Sequence, residues 1–278
     1  MAKINLTIRV KKLIYKNRLL FIFFSILILV AITILYKELR QKSQSYVYAK
    51  IQINYPGSYY VKPDFWLANA LKPGGKEYGL LAQPDAEILQ ERYYNYNSFG
   101  QYDIYITTKL SINYNKQTNS YSFQRSQISV GSPIQINFSS AQVNGTIIDL
   151  SNKPFKDIYV TKTVYLTNRG GYNQDAPDIY NQITPGDKWF DGTDNVVEIV
   201  GKNLVKGVVG VQNLLDSQIY DRTTDVQQNI VVVAKIKVLS KGKQLIFGGN
   251  QLVKIGNPLL FSTSSYTFTN SFVLTKIE

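Results

Sequence analysis

The chain has no cysteine and no histidine. The first absence removes disulfide bonds and thiol catalysis. The second removes Ser-His triads and the common zinc and haem ligand sets. A chain without cysteine suits an exposed compartment, where stray thiols would oxidise. Glycine-rich phosphate loops are missing as well. So is any recognisable catalytic set, so no enzyme activity and no cofactor are expected. Charge is missing where it matters most: Leu19–Tyr36, LLFIFFSILILVAITILY, runs eighteen residues without one charge.

That stretch organises the reading. A bilayer core needs about 20 apolar residues of helix, and Tyr36 supplies an interfacial aromatic. Ser25 and Thr33 can bond to backbone carbonyls one turn back. Lys3, Arg9, Lys11, Lys12, Lys16 and Arg18 precede the run, while Lys37, Arg40 and Lys42 follow it with Glu38 among them. The imbalance predicts a single-pass protein of the plasma (inner) membrane, with residues 1–18 as a basic cytoplasmic segment, 19–36 as the span and the rest outside. Lys11, Lys12, Lys16 and Arg18 are expected to touch anionic lipid heads. A cleaved signal peptide fits less well, because its one plausible cleavage pattern, Val47-Tyr48-Ala49, lies far beyond Tyr36.

The net charge of +12 is unevenly placed. Residues 1–42 hold nine Lys/Arg and one Glu, which leaves 22 basic and 18 acidic residues for the remainder. The basic balance thus belongs mainly to the anchor. It gives no basic stripe of the kind nucleic-acid binders carry on a folded domain, so no nucleic-acid partner is expected.

Residues 37–44 read as a polar tether. From Tyr46 to Tyr55 apolar and polar residues alternate, which predicts a strand ended by Pro56-Gly57. Similar runs recur at Tyr102–Ile112, Ser120–Arg125, Ile134–Phe138, Thr146–Leu150, Ile158–Leu166, Ile230–Val238, Gln244–Phe247 and Phe272–Ile277. Many short strands between turn clusters predict a mainly β chain built as a barrel or sandwich.

An internal repeat runs through these strands. Ser45–Ile51 aligns with Asp157–Thr163, Leu71–Lys76 (LKPGGK) with Ile183–Lys188 (ITPGDK), and Ala86–Leu89 with Val197–Val200. Ile104–Leu110 aligns with Ile230–Ile236, Ile128–Ile134 (ISVGSPI) with Val253–Leu259 (VKIGNPL), and Asn144–Ile148 with Asn270–Leu274. Matching turn glycines and prolines answer to geometry more than to composition. Two tandem barrel-like units are therefore predicted, residues 45–150 and 151–278. An insertion near 201–229 in the second carries Leu204, Val205, Val208, Val209, Leu214, Leu215 and Ile219 near helical spacing, which predicts a short helix. Pro84–Tyr94 reads as a shorter counterpart in the first unit.

The segment Ile128–Leu150, ISVGSPIQINFSSAQVNGTIIDL, joins a strand to Val-Gly-x-Pro, a second strand, and a third opened by Gly-Thr-Ile-Ile. It resembles the β-barrel part of membrane-fusion (periplasmic adaptor) proteins. It also resembles an uncharacterised bacterial family with one N-terminal membrane helix and an outside β-domain. The resemblance implies a barrel fold in the cell envelope. The long heptad hairpin and lipoyl-like half-motifs of the adaptors are not present, so docking to an outer-membrane channel does not carry over.

Three sets of residues invite a functional reading. Tyr93, Tyr94, Tyr96 and Phe99 could form an aromatic platform for a glycan or a protein partner, against ordinary packing. Asp187, Asp191 and Asp194 could supply oxygen ligands to calcium, against a solvated turn. Ser58 could serve a Ser-Lys peptidase, but it lacks the Ser-x-x-Pro setting of signal peptidases, and no lysine sits in an apolar run that would strip its proton. The expectation is a non-catalytic envelope component that partners other envelope proteins or copies of itself. An anchored glycan or cell-wall binder and a Ser-Lys peptidase are the alternatives.

Overall fold

A computed structural model describes residues 18–41, 45–54, 61–79, 83–96, 100–168, 176–206, 210–212, 219–221 and 228–278. Side chains at 18–21, 34–41, 176–177, 206, 210–212, 219–221 and 228 lie outside the description. The chain divides into two compact units, residues 1–45 and 46–278. The first contains one helix, α1 (Arg18–Gln41, 24 residues). It runs past Tyr36, so most of the segment read as a tether, up to Gln41, is helical. Thr33 donates its hydroxyl to the Val30 carbonyl at 3.0 Å and to that of Leu29, as expected of a hydroxyl on an apolar helix. Side chains from Ile22 to Thr33 are all exposed. Among the described residues, no helix is long and apolar enough to cross a membrane.

The second unit is mainly β, and strand accounts for 58% of the structure. Its elements are β1 (Ser45–Asn54), α2 (Phe65–Ala70), β2 (Lys76–Tyr78), β3 (Pro84–Asn95), β4 (Tyr102–Asn115), β5 (Ser120–Phe123), β6 (Ser126–Ile128), β7 (Pro133–Asn137) and β8 (Gln142–Ser151). There follow β9 (Tyr159–Asn168), α3 (Ala176–Gln182), β10 (Lys188–Phe190), β11 (Asn195–Lys206), β12 (Gly210–Gln212), β13 (Ile219–Asp221) and β14 (Gln228–Lys241). The chain closes with β15 (Gln244–Phe247), β16 (Gln251–Leu252), β17 (Phe261–Ser262), β18 (Thr267–Phe268) and β19 (Phe272–Ile277). Period-two patterning does what it predicts: on β1 the alternate residues Val47, Ala49, Ile51 and Ile53 are buried.

The strands form two large antiparallel sheets on one plan. The first orders β2-β3-β4-β1-β8-β7, with β5 on β4 and β6 on β5. The second orders β10-β11-β14, with β9 on β14, β19 on β9, and β15-β16 following β14. Register repeats too. Ala86 faces Leu110 in the first sheet, and Val197 faces Ile236 in the second. Both ladders slip at the same place, between Ile88 and Gln90 and between Ile199 and Gly201. The Pro-Gly turns before them are alike: the Gly74 amide donates to Ile88 O and the Gly186 amide to Ile199 O, each at 2.8 Å. Both glycines sit at positive φ, 87° and 94°, where a side chain would be strained. Gly131 bonds to Ile147 O at 2.7 Å as Gly256 bonds to Leu274 O at 2.8 Å.

These equivalences correct the sequence alignment at its two ends. Ile51 faces Ile147 in the first sheet and Leu166 faces Leu274 in the second. Ile51 therefore matches Leu166 where the alignment matched it with Thr163, and Ile147, not Ile148, matches Leu274. Two other readings are overturned. Pro84–Asn95 is strand, and residues 203–206 continue β11 where a helix was expected. Further along the insertion, β12 pairs with β13 as antiparallel strand, Gly210 to Asp221 through Gln212 to Ile219. Val208, Val209, Leu214 and Leu215 lie outside the described residues. β-branched residues resist helix for want of χ1 freedom, and Val205 has a strand partner in Asn229.

Each sheet wraps its own apolar cluster, one running from Val47 to Ile147, the other from Val164 to Leu274 with Tyr94 added. The edges of the first sheet nearly meet, giving one nearly closed, barrel-like sheet. Ser139 N–H donates to Lys76 O at 3.2 Å, and Asn137 N–H donates to the buried Glu77 carboxylate at 3.1 Å. In the second sheet the position of β7 is held by a single bridge, Pro258 to Val273.

Candidate functional site

The chemistry of the β-body gathers where the two sheets meet, and β3 explains why. Beyond its bulge the strand sends Glu91 and Tyr93 to one side and Arg92 and Tyr94 to the other. Tyr93 joins the first core, and Tyr94 joins the second. The Tyr94 ring meets Trp189 edge-on at 5.8 Å and Phe247 at 6.0 Å. Its hydroxyl donates to Asp191 Oδ2 at 2.8 Å. Arg92 reaches the same carboxylate through Nη1, and Asp194 through Nη2 at 2.8 Å. Asp191 is fully buried. Its other oxygen accepts the backbone amides of Thr193 (3.0 Å) and Asp194 (2.8 Å), the local turn that Asp favours. Lys237 holds Asp194 at 2.8 Å, and Lys50 holds Asp157 at 2.7 Å. Main-chain bonds complete the seam: Tyr93 N–H to Asp191 O at 2.8 Å, and the Thr193 hydroxyl to Glu91 O at 2.7 Å.

The turn between β15 and β16 closes the seam from the second sheet. Gly248 and Gly249 hold φ of 62° and 81°. A Cβ on Gly249 would stand 2.6 Å from the Tyr105 ring. Only glycine lets the turn lie this close to β4.

Electrostatics follow from burial. Burial opposes the Arg92 charge, but Asp191 and its neighbours outweigh it and raise the guanidinium pKa. Hydrogen bonds from Lys237 and Arg92 hold Asp194 below the usual carboxylate range. Burial drives Tyr94 well above its ordinary value. Glu91 is pushed up to about 7 by burial, with Lys72 opposing at 3.5 Å.

Glu91 makes stability depend on pH. Its folded pKa lies above the unfolded value, so the folded chain holds this proton while the unfolded chain releases it. The contribution is complete below about 4.5 and is lost as pH rises to about 7. Thermal unfolding followed across pH 4.5–7.5 should therefore show stability falling through this window. Glu91→Gln should flatten that fall; an unchanged slope in the variant would remove Glu91 as its source.

A cavity of about 150 Å³ lies along the seam, walled by Arg92, Tyr94, Tyr105, Tyr159, Lys237 and Gly249 among others. A more open cleft of about 670 Å³ adjoins it past Tyr159, Phe155 and Leu89. The aromatic faces there are already taken. Arg92 lies 4.7 Å and Lys237 5.6 Å from the Tyr159 ring centre, and Lys50 lies 4.6 Å from that of Phe155. Stacking surface and charge are spent between the two sheets, so the seam acts as a lock.

The expected site residues are placed otherwise than expected. Tyr93 and Tyr94 do not form an exposed platform: successive strand residues face opposite ways, and each ring is buried in a different core. Tyr96 is exposed beneath Lys62, and Phe99 lies outside the described residues. Asp187, Asp191 and Asp194 do not converge on a cation. Asp187 accepts hydrogen bonds from Ser264 and Ser265, while the other two face Arg92 and Lys237. Among the described residues, no group of three acidic, cysteine or histidine side chains could hold a metal. Ser58, Lys11, Lys12 and Lys16 lie outside the described residues, as does the side chain of Arg18, which opens α1. Sequence reading missed Arg92, Tyr159, Asp157 and Lys237. The Asp191-x-Thr-Asp turn and the Gly248-Gly249 pair were the available signals.

No family model, no curated protein and no solved structure matches this chain.

Proposed function

We propose that the protein is a membrane-anchored component of the cell envelope that acts by contact rather than by catalysis. The observation that carries this reading is the uncharged run Leu19–Tyr36, which falls within α1. The helix is 24 residues long, about 36 Å at the standard rise. Its described side chains, Ile22 to Thr33, stand exposed without a polar face. An apolar surface all round suits a lipid surround, and the sequence continues it uncharged from Leu19 to Tyr36. The six cations before Leu19 favour a cytoplasmic N-terminus, which leaves the β-body outside. The charged groups of the seam engage one another, which suits a rigid contact surface.

Two measurements test this. The full chain should stay with membranes through alkaline carbonate washing, and Leu27→Arg combined with Val30→Arg should release most of it to the supernatant. Extracted in mild detergent, it should sediment as an assembly larger than one chain plus micelle. A full chain that washes off, or a clean monomer, overturns the reading. Exposed Trp66 and half-exposed Phe65 on α2 favour glycan binding as a second reading; their rings would stack on a sugar face.

A further inference from the structure

The seam between the two sheets is a union of two unlike surfaces. One is the outer face of β3 and β4, where Arg92 pairs with Tyr105 across the ladder and Tyr94 with Asp103. The other is the rim of the second sheet, formed by the Asp191–Asp194 turn and the Gly248-Gly249 turn. Because the sheets repeat one plan, each surface has a counterpart elsewhere in the chain. The face of β3 and β4 recurs on β11 and β14, where Asn203 pairs with Val231 and Val205 with Asn229. The glycine turn recurs between β5 and β6 as Gln124-Arg125. That turn is one residue shorter, Phe123 pairing with Ser126 where Phe247 pairs with Gln251, but its two residues also hold positive φ, 46° and 72° without glycine, and each turn directly follows a buried phenylalanine, Phe123 or Phe247.

Both counterparts are open. Val205 is 46% exposed where its equivalent Tyr94 is 5% exposed, and Gln124 and Arg125 are exposed. The sequence of β14 reads as a strand meant for cover: Ile230-Val231-Val232-Val233-Ala234 does not alternate, which marks burial on both faces. The volumes also match in a compensated way. In the seam, large Tyr94 and Tyr105 meet two glycines. In the counterparts, smaller Val205 and Val231 would meet Gln124 and Arg125, with the bulk moved from the face to the turn.

We propose that this chain self-associates head to tail, the β11–β14 face of one copy seating on the Gln124-Arg125 turn of the next. The first sheet's face and the second sheet's turn are used within the chain. The free face and the free turn therefore lie at opposite ends of the repeat, and the contact is heterologous and open-ended. This deepens the assembly reading above and rests on it.

Tyr94 lies against Gly248 inside the chain, where a Cβ on the glycine would approach the ring to 3.5 Å. The equivalent contact between copies is Val205 against Gln124. The chain has no cysteine, so introduced thiols report only on themselves. The double variant Val205→Cys/Gln124→Cys, as full chain in mild detergent under oxidant, should give a ladder of disulfide-linked multimers. Each single variant alone should stay uncrosslinked, and a mixture of the two singles should stop at dimers. Maleimide labelling before oxidation shows that both thiols are reachable. A ladder supports the proposal. Reachable thiols without a ladder overturn it, as does dimerisation of Val205→Cys alone, which would mean like faces meeting. An unreachable Val205→Cys thiol overturns it too, since that face would then be covered within its own chain. If the unmodified chain still sediments as a large assembly, the failure concerns this surface alone; if it is a monomer, the parent reading fails with it.

Discussion

Asp191→Ala should lower the melting temperature of the β-body by roughly 10 °C or prevent its folding. Asp191 is fully buried and is the carboxylate that neutralises Arg92 inside the seam. Removing one partner of a buried pair costs about 3–5 kcal/mol, and Arg92 would keep only Asp194, which it shares with Lys237. The same substitution strips the Tyr94 hydroxyl of its acceptor and the turn amides of Thr193 and Asp194 of theirs. A change of 1 kcal/mol moves the midpoint of a body this size by about 2–4 °C. Arg92→Met should be milder than Asp191→Ala, and the pair Arg92→Met/Asp191→Leu milder still, since replacing both charges with apolar groups removes the desolvation penalty. Calorimetry on the three variants decides it. Asp191→Ala melting within 2 °C of the parent would mean that the seam does not hold the sheets together.

The second large effect is expected at Gly249. Gly249→Ala places a methyl 2.6 Å from the Tyr105 ring and puts a side chain at a φ of 81°. Overpacking costs about 1–3 kcal/mol, and the backbone adds roughly 1. The two parts separate in a double-mutant cycle with Tyr105→Val. The steric part should vanish when the ring is gone, leaving a coupling of about 1–3 kcal/mol, while the backbone part persists. Additive effects in the cycle would show that the turn does not press on β4. The Tyr105→Val background also imitates the valine that stands at the equivalent place on β14, so a rescued double variant would support the size exchange inferred between the two turns.

Local features of the chain were legible before the fold was. Alternation marks β1, β4 and the Ala234–Val238 half of β14, because a sheet with one buried face imposes period two on its sequence. The turn pairs LKPGGK/ITPGDK and ISVGSPI/VKIGNPL were legible because positive φ and close backbone approach admit few residues. The first strand was misaligned by three because Lys50 was matched with Lys162, a likeness of half-exposed positions. Buried Val47, Ala49 and Ile51 carry the true phase, and many apolar residues would serve there. β3 was misread because its bulge breaks alternation midway. The seam was invisible for another reason. Arg92 and Asp191 stand far apart in the chain, and Asp-rich turns occur for local reasons whether or not a cation faces them. Adjacent tyrosines, read as one platform, serve two cores because neighbouring strand residues point apart.

The slip shared by both ladders carries one more consequence. Leu89 and Val200 sit at the irregularity, unpaired with the next strand and 41% and 49% exposed. Each is a surplus link. Excising either one would restore an unbroken ladder while every later side chain kept its side of the sheet. The chain can thus shorten by one at each of these two bulges.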